Sequence, residues 1–191
     1  MSGKGRWKPD SALRRRAEAE AAALRAQLGV DHTVHLDIDT ALDLHGFMCI
    51  DVADTSLAPV HKECLLQNSE QTSWSALTLR GPDWKGVVYN SVHGLERQRS
   101  DKAHELAHEL LVHTAEVLHS IPGGLALRDY DEVKEKEAGY VGGVLLVSDQ
   151  SINWAIRAGV TRSQMQNHFG VSPELVRYRL NALGMYWSVA A

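Results

Sequence analysis

Cysteine is nearly absent from this 191-residue chain. Cys49 and Cys64 are too few for a disulfide framework, and no C-x-x-C spacing makes them a metal site. They read instead as a buried strand thiol and a loop thiol. Long apolar runs are absent too: none approaches the ~20 residues that span a bilayer. The start of the sequence, Met1 to Lys8, is basic and lacks the apolar stretch of a signal peptide. Together these absences lead to the expectation of a protein of a reducing cytoplasm. There is no internal repeat, and no low-complexity tract beyond one Ala/Glu/Arg-rich helix. The length suits one domain or one domain with a small appendage, and burial of roughly 70% of the unfolded surface needs no covalent staples.

Negative charge dominates overall but not everywhere. The net charge is -4, yet residues 151–191 hold Arg157, Arg162, Arg177 and Arg179 against Glu174 alone, or +3, leaving -7 for the rest. Helix signals run over Ala12 to Leu28, opened by Pro9-Asp10-Ser11 and stopped at Gly29, and over Ile38 to Leu44, stopped at Gly46. Phe47 to Val52 reads as a strand. Trp74 to Leu79 and Trp84 to Asn90 read as a hairpin turned by Gly81-Pro82-Asp83. A helix is expected over Arg97 to Leu118 and another over Asp131 to Val147. In the second, Gly139, Gly142 and Gly143 lower helix propensity but permit close approach to another helix or a ligand site. Three short helices follow, near Asp149–Ala158, Arg162–Phe169 and Pro173–Leu183.

The first long helix contains His104-Glu105-Leu106-Ala107-His108, an H-E-x-x-H motif. Helical geometry sets His104 and His108 one turn apart and only about 40° apart around the axis, so both imidazoles reach one metal ion. Glu105 sits beside them, where a carboxylate can take the proton of an attacking water. That is the arrangement of a zinc-dependent peptidase. A third protein ligand is required. The metzincin continuation is missing, because Leu111 and Thr114 stand where Gly and His are needed. His113 follows Leu106 by seven residues and shares the stripe of Leu110 and Val117. That stripe should face the core, away from the His104/His108 side. The other source is a carboxylate on the following helix: Glu135 or Glu137, with Asp131 and Glu132 behind them.

The run from Arg97 to His108 resembles the ImmA/IrrE family of metallopeptidases, as does Glu135-Lys136-Glu137-Ala138 followed by Val144-Leu145-Leu146. The family's second helix begins Glu-x-x-Ala-Asn, and its first glutamate completes the zinc site. The resemblance therefore implies Glu135, 27 residues beyond His108, as the third ligand. Gly139 stands where the family has Asn, Val141 and Gly142 replace its Phe-Ala, and Ser148 falls where a Pro is common. The resemblance extends in layout over residues 10–186, with these two motifs the sharp ones. It implies an α+β, zincin-like domain of a small antiparallel sheet and active-site helices, spanning residues 1–148. A helix-turn-helix-like extension would occupy residues 149–191. It also implies an endopeptidase whose target is a helix-turn-helix transcriptional repressor, cleaved to relieve repression.

Further candidates follow from pattern. Trp84 to Asn90 is a candidate edge strand for pairing with extended substrate, with Trp84 and Tyr89 as contacts. Tyr140 is a candidate for stabilising an oxyanion. From Thr161 to Leu180 the chain reads as a helix-turn-helix. Gly170 suits the turn, Ser172 the cap and Pro173 the first helical position. Met165, Phe169, Val171, Val176 and Leu180 would form its small core, and Arg177 and Arg179 could meet DNA or a partner. Similar wording is also common at this place in the family, where these helices pack on the peptidase domain. The competing reading is therefore a non-catalytic, zinc-containing regulator or adaptor acting through the C-terminal helices. The remaining histidines, His32, His35, His45, His61 and His93, have no ligand spacing, and Arg14-Arg15-Arg16 reads as a solvated helix face.

Overall fold

The computed structural model describes residues 7–57, 75–113, 119–121, 125–127 and 131–185, with isolated positions 59, 62 and 66. Cys64, Trp74 and residues 114–118 of the expected long helix lie outside them.

Local signals set most element ends. Helix α1, Ser11–Gln27, is capped by the Asp10 carboxylate, which accepts from the Leu13 N–H at 2.7 Å. Helix α2, Ile38–Leu44, is capped by Asp37, and Gly46 follows it at φ 74°. Strand β1, Phe47–Asp51, leads into a short 3-10 turn, Val52–Asp54. Strands β2, Ala76–Arg80, and β3, Lys85–Tyr89, form the expected hairpin in antiparallel register, Arg80 opposite Lys85 and Ala76 opposite Tyr89. Helix α3, Leu95–Leu110, carries H-E-x-x-H. Two short strands, β4 (His119–Ile121) and β5 (Leu125–Leu127), lead to helix α4, Glu132–Leu146, capped by Asp131. Helices α5 (Asp149–Arg157), α6 (Arg162–Phe169) and α7 (Pro173–Ala182) complete the described chain.

The sheet runs β1-β3-β2-β5-β4. It is mixed rather than purely antiparallel, because β1 joins β3 in parallel, Phe47 beside Lys85 and Asp51 beside Tyr89. This corrects the edge-strand assignment: β3 is paired on both sides, so its backbone has no free row for a substrate strand. The edge position falls to β1, and Cys49 is exposed there rather than buried.

Helix α3 lies between the sheet and α4, with α1 and α7 packed on the far side of α4. One apolar core runs through all of these, from Ala17 and Leu24 through Leu106 and Val141 to Phe169 and Leu180. The five expected core residues of the C-terminal helices are all buried in it. Among the described residues, no helix is long and apolar enough to cross a membrane.

Candidate metal centre

Helices α3 and α4 approach closely because Gly142 carries no side chain. A Cβ built there meets the Ala103 carbonyl and the His104 nitrogen at 3.0 Å. On α3 the core-facing Ala103, Leu106 and Ala107 are fully buried, leaving His104 and His108 to project toward the start of α4. There the two imidazoles meet the Glu135 carboxylate. His104 Nε2 lies 2.9 Å from Glu135 Oε2, His108 Nε2 lies 3.3 Å from Oε1, and the two Nε2 atoms are 3.0 Å apart.

Two ligand atoms bound tetrahedrally at about 2.0–2.1 Å from one ion stand about 3.3 Å apart. The three donors here converge at nearly that spacing, and all lie within 4.8 Å of one another. The residue types also fit, since two neutral imidazoles and one carboxylate leave a divalent ion partly uncompensated and able to act as a Lewis acid. Burial alone would raise the Glu135 pKa. Hydrogen bonds and charge from His104 and His108 outweigh it and hold the carboxyl far below the usual range.

Glu105 is 6% exposed and turned toward the sheet, where the Thr78 hydroxyl donates to its Oε2 at 2.6 Å. One turn on, Glu109 receives Lys85 Nζ at 2.7 Å and the Arg80 guanidinium. Burial pushes the Glu109 carboxyl up, but those two cations bring it below its ordinary value. These bonds fix the angular setting of α3 against β2 and β3.

His113 departs from expectation. The helix was expected to continue to Leu118, which would turn His113 into the core. Instead α3 ends at Leu110, and Val112 takes a left-handed backbone at φ 57°. The His113 N–H bonds to the His108 carbonyl at 2.9 Å, and the Val112 N–H to that of Glu109 at 3.0 Å. This is a Schellman closure with valine where glycine is usual. The reversal lays the His113 ring beside His108, Nδ1 to Nδ1 at 3.0 Å, while its Nε2 lies 3.1 Å from Glu137 Oε2. Thus Glu135 faces the imidazole pair and Glu137 faces His113. Sequence reading missed Thr78 and the position of His113. No local signal announces Thr78, and Val112 conceals the helix stop.

The remaining candidates fall elsewhere. Tyr140 is 2% exposed, about 140° round α4 from Glu135, and its ring lies under the Arg179 guanidinium, so it is a packing residue rather than an oxyanion contact. Trp84 packs over Gly81 at the hairpin turn. The Tyr89 ring is covered by Lys102 Nζ at 3.9 Å, and Lys102 in turn bonds Asp39. Arg179 is fully buried, bonding the Val147 carbonyl and Asp149, and cannot reach DNA; Arg177 is exposed.

A Mycobacterium tuberculosis transcriptional regulator shares the fold with a TM-score of 0.53 and 17% identity, over 95% of this chain and 50% of that one. The chain thus spans half the length of that regulator. No curated protein matches the chain. The sequence profile of peptidase family M78, described as the IrrE N-terminal-like domain, matches residues 69–181, a stretch that includes both site helices. With that match over more than half its length, the chain belongs to the ImmA/IrrE family of metallopeptidases.

Proposed function

We propose that this chain is a zinc-dependent endopeptidase that cuts a helix-turn-helix transcriptional repressor and so relieves repression. The observation that carries the catalytic reading is the convergence of His104, His108 and Glu135, with Glu105 on the next position of the same helix. Zinc held by those three residues supplies Lewis acidity toward water and toward the scissile carbonyl. Glu105 takes the proton of the attacking water and returns it to the leaving amine. The Thr78 hydroxyl occupies one carboxylate oxygen of Glu105 and leaves the other for that proton. Glu135 adds the negative charge that complements the ion.

The repressor as target is what family membership implies. DNA contact has less support, since only Arg177 of the two candidate arginines reaches solvent.

The test pairs metal content with cleavage of purified helix-turn-helix repressors from the source genome. Glu105→Gln should keep its zinc and lose cleavage by about 100-fold or more. His108→Ala should lose both. If Glu105→Gln cuts at the wild-type rate, the catalytic assignment fails. If wild-type protein holds zinc yet produces no new N-terminus in the repressor, the adaptor reading replaces the peptidase.

A further inference from the structure

We propose that the cavity between the segment before α1 and the end of α7 binds a small ligand in which a flat aromatic ring carries a phosphate or a carboxylate. The site is separate from the metal centre and does not depend on it, since α1 and α7 pack on the far side of α4 from the H-E-x-x-H helix.

The cavity has a volume of about 300 Å³, at the lower end of the range that small-molecule sites occupy. Trp7 and Tyr178 give it aromatic walls, Leu183 an apolar one, and Lys8 and Arg14 its two charges. No acidic side chain lines it. Asp10, the acid nearest in sequence, is committed to capping α1 through the Leu13 N–H. Among the described residues neither Lys8 nor Arg14 has a carboxylate partner, and the Arg14 side chain bonds only through Nε, to the Pro9 carbonyl at 3.3 Å. The two terminal nitrogens of the guanidinium remain, the fork that grips a phosphate or carboxylate through parallel bonds.

Two helix ends also meet here. The opening of α1 brings partial positive charge and the end of α7 partial negative charge, about half a unit each, so the two offset. The N–H groups of Gly184 and Met185 also take up the Asn181 and Leu180 carbonyls, at 3.1 and 2.9 Å. The side-chain cations therefore set the sign of the cavity, in a chain whose net charge is -4. A lone phosphate would leave the aromatic walls unused, and a neutral ring would leave the cations unpaired. The ligand that satisfies both is a ring bearing an acid.

The walls are held before a ligand arrives. Trp7 and Tyr178 both pack against the hydrophobic core, and Tyr178 Cε1 stands 3.8 Å from the position of a Cβ on Gly143 of α4. An aromatic surface already in place loses little freedom on binding. Asn181 adds an amide, donor and acceptor at once, for the polar edge of the ring.

Isothermal titration calorimetry of the full chain tests the site with two probes: adenosine monophosphate for a phosphate source and indoleacetate for a carboxylate source. At least one should bind with a Kd below about 1 mM. Adenosine and indole keep the ring, and inorganic phosphate and acetate keep the charge; each should bind about 10-fold or more weakly. Arg14→Gln should weaken the bound probe by about 10-fold or more. Lys8→Gln, at an exposed position where folding is not at stake, should weaken it by about 2- to 5-fold. Trp7→Leu, which keeps an apolar wall but removes the ring, should cost about 10-fold. No binding by either probe at about 1 mM overturns the proposal, as does a bound probe whose affinity is the same in wild type, Lys8→Gln and Arg14→Gln.

Discussion

Val112 holds a left-handed turn at the end of α3. A non-glycine residue in the left-handed region costs about 1–2 kcal/mol. Glycine would relieve it but would cost about 0.5–1 kcal/mol in unfolded-chain entropy. Val112 is 67% exposed, so little packing is lost on truncation. Val112→Gly should therefore raise stability by about 0.5–1 kcal/mol, a rise in Tm of about 2–3 °C, with zinc affinity unchanged. Differential scanning calorimetry checks this, and a lower Tm would show that the valine side chain contributes more than its backbone costs. The same residue explains where sequence reading stopped short. His104, Glu105 and His108 follow from helical spacing alone, because all three lie on one uninterrupted turn. His113 lies beyond a closure whose usual glycine marker is missing, so periodicity carried it into the core.

Between elements, the distance from α3 to α4 decides whether Glu135 meets the imidazoles. That distance is set at Gly142, where a methyl group would press on backbone at 3.0 Å. Gly139 offers a control on the same helix, since a Cβ there meets only His104 Nδ1 at an ordinary 3.9 Å. Gly142→Ala should cost about 1–3 kcal/mol by overpacking and weaken zinc by shifting α4. Gly139→Ala should gain up to about 1 kcal/mol of helix propensity and keep its zinc. Equal behaviour of the two variants in thermal melts and zinc titration would refute the spacing role of Gly142. The glycines were legible as points of close approach; which of them bears the contact was not, because that depends on the rotation of α4 against α3. The parallel seating of β1 on β3 was hidden for a related reason. Strand pattern identifies each element, but pairing partners 38 residues apart are chosen by tertiary packing.

For the molecule as a whole, the decisive junction is Arg179. It is buried between Glu18 of α1, at 3.5 Å, and Asp149 at the start of α5, at 2.5 Å, and its Nε donates to the Val147 carbonyl just past α4. Arg25 of α1 reaches the neighbouring carbonyls of Leu145 and Leu146 at 3.3 Å each. Two guanidiniums thus satisfy the buried carbonyls at the C-terminal end of α4. Burial, and then the nearby Asp149 charge, push the Glu18 carboxyl up to about 7, against the pull of an Asp149 backbone bond and of Arg179. Because the folded pKa lies above the ordinary carboxyl value of 4.5, the stabilising effect of the protonated form is full below pH 4.5 and lost as pH rises through about 7. The stability of wild type relative to Glu18→Gln should therefore fall between pH 5 and pH 8. Melting curves at the two pH values check it, and a constant difference would show that Glu18 is ionised throughout. From sequence, Arg179 read as a surface contact, since its burial depends on a partner 161 positions earlier. That separation also orders events during synthesis. A ribosome delivers α1, then the H-E-x-x-H helix, then α4, well before residue 179 emerges, and until then the end of α4 lacks one of its two cationic clamps. The end of α4 is thus fully clamped only as α7 arrives, and a chain stalled before it leaves Glu18 and Asp149 facing each other without their shared arginine.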